Sequence, residues 1–139
     1  MQLVFESLTG NVRRLAGRVA RQAGLPDALD LRHAVPQGDY LLLTYTFQRG
    51  TVPGATSAFL ARHSAGLRGV VASGSYHWGD TFARAADLIA AHYHVPVVAK
   101  VNKAGSDADV ARIVRWVQAH HRPSLSPDML EAAWTPGSN

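Results

Sequence analysis

The 139-residue sequence contains no cysteine. That absence excludes disulfide frameworks, thiolate zinc sites, iron–sulfur ligation and thiol redox chemistry together, so any redox role must use a bound cofactor. The sequence also lacks an apolar run approaching the roughly 20 residues that cross a bilayer. Its first residues, Met1-Gln2-Leu3-Val4-Phe5-Glu6, carry neither a basic n-region nor a cleavage site, and the expectation is a cytoplasmic protein without membrane contact. Lysine is nearly missing: 12 of the 14 basic residues are arginine. The formal net charge of +4 favours anionic partners. The arginines are nevertheless scattered from Arg13 to Arg122 without the basic runs of a nucleic-acid arm, so no nucleic-acid partner is expected and the arginines read as solubilising helix surface.

With 47% hydrophobic residues and 17% charged, the chain can bury a core as a single domain, which excludes wholesale disorder, collagen and coiled coil. Short apolar runs alternate with segments of helical period, in the order β-α-β-β-α-β-α-β-α. Leu3-Val4-Phe5 is the first strand. Val12, Leu15, Ala16, Val19 and Ala23 then form one helix stripe, with Arg13, Arg14, Arg18 and Arg21 on the wet side and Gly24-Leu25-Pro26 as the stop. Leu29-Asp30-Leu31 fits a brief second strand. Tyr40-Leu41-Leu42-Leu43-Thr44-Tyr45, apolar on both faces, fits a central parallel one. Pro53 can start a helix through Phe59, Leu60 and His63, and Leu67 to Ala72 is a fourth strand. Phe82, Ala86, Ile89 and Tyr93 mark a third helix, Val95 to Ala99 a fifth strand, and Val110, Ile113, Val114 and Val117 a last helix. Residues 1–122 thus read as the domain and 123–139 as a Pro- and Ser-containing tail with one short amphipathic turn at Met129 to Trp134.

Right-handed crossovers then give a doubly wound α/β domain with a five-stranded parallel sheet of order 2-1-3-4-5. Ligands in such sheets bind beyond the carboxyl ends of the strands, beside strands 1 and 3. The loops at 6–12, 44–52 and 73–81 become the candidate site. The first, Ser7-Leu8-Thr9-Gly10-Asn11-Val12, runs from a buried strand into a helix N-terminus. Its hydroxyls, glycine and backbone N–H groups can surround a phosphate, or Ser7 or Thr9 can serve as the helix N-cap and Gly10 as a turn residue. It has neither the lysine of a Walker loop nor the three glycines of a dinucleotide fingerprint.

The second loop, Thr44-Tyr45-Thr46-Phe47-Gln48-Arg49-Gly50-Thr51-Val52-Pro53, and the third, Ser73-Gly74-Ser75-Tyr76-His77-Trp78-Gly79-Asp80-Thr81-Phe82, set aromatics among small polar residues. Tyr76 and Trp78 between glycines suit a flat ligand or a partner. A phosphoacceptor receiver would want acidic residues where Ser7 and Thr44 stand and would use a lysine after strand 5; Lys100 is placed there and is isolated. His92, His94, His120 and His121 lack a carboxylate set, so no metal site is expected, and no Ser/His/Asp elbow exists.

Ser-x-Thr-Gly-Asn after the first strand resembles the flavodoxin phosphate loop. The wider pattern resembles the NrdI family, small flavodoxin-like proteins associated with class Ib ribonucleotide reductase. It includes Phe5 to Val12, Thr44-Tyr45-Thr46, Gly50-Thr51-Val52-Pro53, Leu67 to Gly74, Trp78 to Phe82 and Tyr93-His94-Val95-Pro96, in the family's order over about residues 1–120. The resemblance implies a flavodoxin-like fold and one non-covalent FMN. Ser7, Thr9, Gly10, Asn11 and Val12 would hold its phosphate. Its ring would lie between Thr44, Tyr45, Thr46, Phe47, Gly50 and Thr51 on one side and Ser73, Gly74, Ser75, Trp78, Gly79 and Phe82 on the other.

It further implies a flavin reductant of unidentified nature, and reaction of the reduced flavin with dioxygen to give superoxide. Superoxide would pass to the dimanganese site of the small subunit NrdF, where the tyrosyl radical forms. On this reading the chain is an oxidant generator acting on a partner protein, with no catalytic acid, base or nucleophile of its own. The sequence departs from the family in having Gln48 and Arg49 where glycine is usual, and Ser75-Tyr76-His77 in place of an Asn-rich stretch. An Arg49 near the ring would favour reduced, anionic flavin. A general flavodoxin-type electron carrier is the alternative, although such carriers are commonly longer and strongly acidic, and this chain is short and basic.

Overall fold

A computed structural model describes residues 1–48 and 50–120. The tail assigned to 123–139, with its amphipathic turn, lies outside the described residues, as do Arg49, His121 and Arg122. Five strands form one sheet in the order β2-β1-β3-β4-β5, all pairs parallel. The strands are β1 (Gln2–Phe5), β2 (Leu29–Asp30), β3 (Tyr40–Tyr45), β4 (Leu67–Gly74) and β5 (Val97–Asn102). The helices are α1 (Asn11–Ala23), α2 (Gly54–His63), α3 (Arg84–Tyr93) and α4 (Asp107–His120).

Strand alternation divides the core into two layers. Leu3, Phe5, Leu41, Leu43, Val71 and Val101 face α1 and α4, meeting Leu15, Val19, Ile113 and Val117. Val4, Tyr40, Leu42, Val70 and Ala72 face the other way, onto Phe59 and Leu60 of α2 and Ala86 and Ile89 of α3. The central strand β3 is buried on both faces from Tyr40 to Thr44, as its unbroken apolar run predicts. Among the described residues no helix is long and apolar enough to cross a membrane.

Several boundaries differ from the sequence reading: β2 ends at Asp30 rather than Leu31, and α3 starts at Arg84, leaving Phe82 before the helix. The fifth strand starts at Val97, not Val95, because the chain leaves α3 through His94 in the left-handed region and Val95 N–H returns to the Ala90 carbonyl at 3.2 Å. Lys100 therefore lies inside β5 and pairs with Asp87 of α3 at 2.5 Å, instead of standing after the strand. The later start carries β5 through Asn102, and β4 extends with it to Gly74, so that Ser73 pairs with Val101 and Gly74 with Asn102. The third loop follows directly from this extension at the carboxyl edge of the sheet.

Candidate functional site

A cleft of about 360 Å³ opens beyond the carboxyl ends of β1, β3 and β4. That volume lies within the usual range for small-molecule sites. Its wall at one end is the first loop. The N-cap of α1 is Gly10, at φ 91°, and no side chain caps the helix. Ser7 is thus not the N-cap: its Oγ accepts from Gly10 N–H at 3.1 Å and fixes the turn, and Thr9 does not cap the helix either. The N–H groups of Asn11, Val12 and Arg13 have no intrahelical acceptor, no acidic residue stands in this first turn, and the helix dipole adds positive potential. The Arg14 guanidinium bonds Asn11 Oδ1, and its Nη1 lies 3.1 Å from where a Gly10 Cβ would be. An anion is the natural guest of this end.

The remaining walls are Tyr45, Thr46, Phe47 and Gln48 from the second loop, and Ser73, Gly74, Ser75 and Trp78 from the third. Thr51 closes the second loop: its N–H and Oγ1 donate to the Phe47 carbonyl at 2.7 and 2.9 Å. Phe47 packs edge-on to Tyr45 with ring centroids 6.5 Å apart. The third loop forms tight 3-10 turns over Tyr76–Thr81, broken at Gly79, and leaves Trp78 43% exposed at the cleft. Leu8, Phe47 and Trp78, three of the large hydrophobics exposed among the described residues, line the opening, and the exposed Tyr76 stands in the same loop as Trp78. Planar aromatic walls at one end and bare amides at the other suit a flat, phosphorylated ligand.

Beneath the cleft lies a buried polar chain. Thr56 Oγ1 donates to Glu6 Oε1 at 2.7 Å and stands 2.9 Å from Thr44 Oγ1. Because a threonine has one hydroxyl proton and Thr56 gives its own to Glu6, Thr44 donates to Thr56. Burial lifts the Tyr45 phenol above its ordinary pKa, and the Glu6 carboxylate adds to the rise against a smaller opposing effect of Arg32. Tyr45 is consequently neutral at physiological pH and presents an uncharged ring to the cleft.

Of the residues named from sequence, Ser7, Thr9, Asn11, Val12, Tyr45, Thr46, Phe47, Ser73, Gly74, Ser75 and Trp78 line the cleft. Gly10 shapes it from behind, through backbone conformation. Thr44 does not reach it: strand alternation turns its side chain onto α2, where Thr56 holds it. Gly50 faces Arg84 and Thr81, Thr51 serves the turn, Gly79 supplies a kink, and the Phe82 ring packs tilted against Tyr76 with centroids 4.7 Å apart, all off the lining. Sequence reasoning missed Leu8, Gln48 and Lys103 on the lining, and placed Arg14 simply on the wet face. Among the described residues no group of three or more His, Asp or Glu could hold a metal ion.

A protein-family model described as NrdI Flavodoxin like matches residues 3–115. The Protein NrdI of Deinococcus radiodurans is 52% identical over 127 residues, covering 91% of this chain and 89% of that protein. The Protein NrdI of Macrococcus caseolyticus is 41% identical over 110 residues, covering 79% and 83%. Among solved structures, a short-chain flavodoxin associated with a PDU bacterial microcompartment superposes with TM-score 0.71 at 16% identity, over 96% of this chain and 97% of that one. Oxidised flavodoxin 2 from Bacillus cereus superposes with TM-score 0.61 at 16% identity, over 85% and 94%. These two likenesses bear on the fold, an α/β sandwich with sheet order 2-1-3-4-5.

Proposed function

The chain belongs to the NrdI flavodoxin-like family, and from that premise we propose that it binds one FMN and acts in activation of the class Ib ribonucleotide reductase small subunit NrdF. The observation that carries this reading is the cleft itself, in which a glycine-capped helix N-terminus and aromatic loops share one space of about 360 Å³. A Cβ at Gly10 would come within 3.1 Å of Arg14 Nη1, so the glycine lets this guanidinium lie close against the loop.

In this reading the first loop and the first-turn amides of α1 hold the FMN phosphate, and Arg14 adds charge beside it. Tyr45, Phe47 and Trp78 flank the ring, while Thr46 is held by Ala85 N–H donating to its Oγ1 at 3.1 Å. Bound FMN, once reduced by a reductant of unidentified nature, supplies one-electron chemistry towards dioxygen, giving superoxide for the dimanganese site of NrdF. The protein would orient the cofactor, and the open mouth of the cleft would give dioxygen access to it. The apolar rim of Leu8, Phe47, Tyr76 and Trp78 is the docking face, since exposed large hydrophobics gathered around one opening suit a partner surface.

Electron paramagnetic resonance on manganese-loaded NrdF, mixed with the reduced flavoprotein and oxygen, tests the proposal. A tyrosyl radical is expected only when both are present. Equal radical yield without this protein would defeat it and leave the electron-carrier reading.

Trp78→Ala separates a cofactor role from a packing role. With Trp78 43% exposed, the loss of fold stability should stay under about 1 kcal/mol, well below the 3–5 kcal/mol typical of a buried tryptophan. Bound-FMN fluorescence should rise as a ring contact disappears. A large stability loss with unchanged FMN fluorescence would place Trp78 in the core instead.

A further inference from the structure

Lys103 is the only charged side chain among the described residues that line the cleft. The chain's other lysine, Lys100, is paired with Asp87, whereas Lys103 has no carboxylate partner among the described residues. Its backbone is held in place. At φ 56° it occupies the left-handed region, which disfavours residues with a Cβ. Its N–H donates to the Gly74 carbonyl at 2.9 Å, and its own carbonyl accepts from Ser73 Oγ at 2.5 Å. Both partners are themselves cleft residues at the end of β4. A strained conformation pinned twice to the site wall is the kind of outlier that signals a role.

Its position selects which part of a ligand it addresses. Three strand spacings separate the end of β1 from the end of β5, so the root of Lys103 sits about 14 Å across the sheet from the phosphate loop. The Arg14 guanidinium already serves that far end. Lys103 borders the side of the cleft walled by Ser73, Gly74 and Trp78, where the ring would lie.

We propose that Lys103 is a positioning residue that biases the bound flavin towards its reduced state. The proposal rests on the FMN reading above and deepens it. Two-electron reduction of the ring leaves a negative charge near neutral pH, while the oxidised ring is neutral. A cation at its edge therefore binds the reduced form better than the oxidised one. The buried Glu6 carboxylate, whose field reaches Tyr45 in the cleft wall, acts in the opposite sense, and Lys103 offsets it. Arg49 was the sequence candidate for this role and lies outside the described residues.

The test compares the wild type with Lys103→Met, which keeps length without charge, and Lys103→Arg, which restores charge. Dissociation constants for oxidised and for dithionite-reduced FMN are measured anaerobically for each, at low and high salt. Lys103→Met is expected to lose about tenfold more affinity for reduced than for oxidised FMN, equivalent to a fall of about 30 mV in the two-electron potential. Lys103→Arg should recover the ratio, and the difference should shrink at high salt, because the side chain is exposed. An unchanged ratio in Lys103→Met, whether both affinities hold or both fall equally, overturns the role of Lys103 and leaves FMN binding intact. A wild-type protein that binds neither form overturns the flavin reading as well.

Discussion

Gly10→Asp is expected to weaken FMN binding by at least about a hundredfold, or about 2.7 kcal/mol, with little loss of fold. The fold should survive with a modest loss, because φ 91° strains any residue with a Cβ but aspartate is among the non-glycine residues that enter the left-handed region most readily. The nearest obstacle to a new Cβ, Arg14 Nη1 at 3.1 Å, is the far end of a flexible side chain and can move. Binding should fail because the new carboxylate occupies the anion's place, capping the free amides of α1 and repelling the phosphate. Gly10→Ala adds bulk without charge and should lose about tenfold, 1.4 kcal/mol. FMN titration followed by fluorescence, with a thermal melt of each variant, checks both. Wild-type affinity in Gly10→Asp would remove residues 7–12 from the phosphate site.

The asymmetry between what could and could not be read from the sequence has a physical basis. Helical period and short apolar runs report burial directly, so the strand order and the four helices emerge from Val12, Leu15 and Val19 or from Leu41, Leu42 and Leu43 without any contact being known. The switch-point rule then points at the loops after strands 1, 3 and 4, which hold most of the cleft lining. The rule says nothing of the loop after strand 5. Lys103 enters the site through hydrogen bonds to Ser73 and Gly74, about thirty positions earlier in the chain, and no local pattern announces them. Thr44 fails for a different reason: the second loop and the family resemblance carried it into the site with Tyr45, yet alternation along β3 sends the two to opposite faces. Edge strand β5 runs three residues past the apolar run that ends at Ala99, because a half-covered edge accepts Lys100 and Asn102.

Thr56→Val carries the second large effect, a destabilisation of about 3 kcal/mol, because it strands a buried charge. Valine matches threonine in shape, so packing is preserved and only the hydroxyl is lost. Glu6 is 5% exposed, and the Thr56 hydroxyl at 2.7 Å is what its Oε1 accepts from. Thr44 loses its acceptor in the same step. The carboxylate also stands near the first turn of α2, which has Pro53 at its N-cap and no acidic residue of its own, so Glu6, just after β1, supplies the negative charge that a helix start favours. A urea-denaturation cycle with Glu6→Met separates these contributions. Removing the charge as well should recover much of the loss, so the double variant Glu6→Met/Thr56→Val should be more stable than Thr56→Val alone, with a coupling of at least about 1 kcal/mol. Because Glu6 immediately precedes the phosphate loop and Thr56 follows the second loop, the same bond ties the bases of these two loops together. Thr56→Val should therefore also weaken FMN binding, whereas an additive cycle with unchanged FMN affinity would reduce the buried chain to incidental packing.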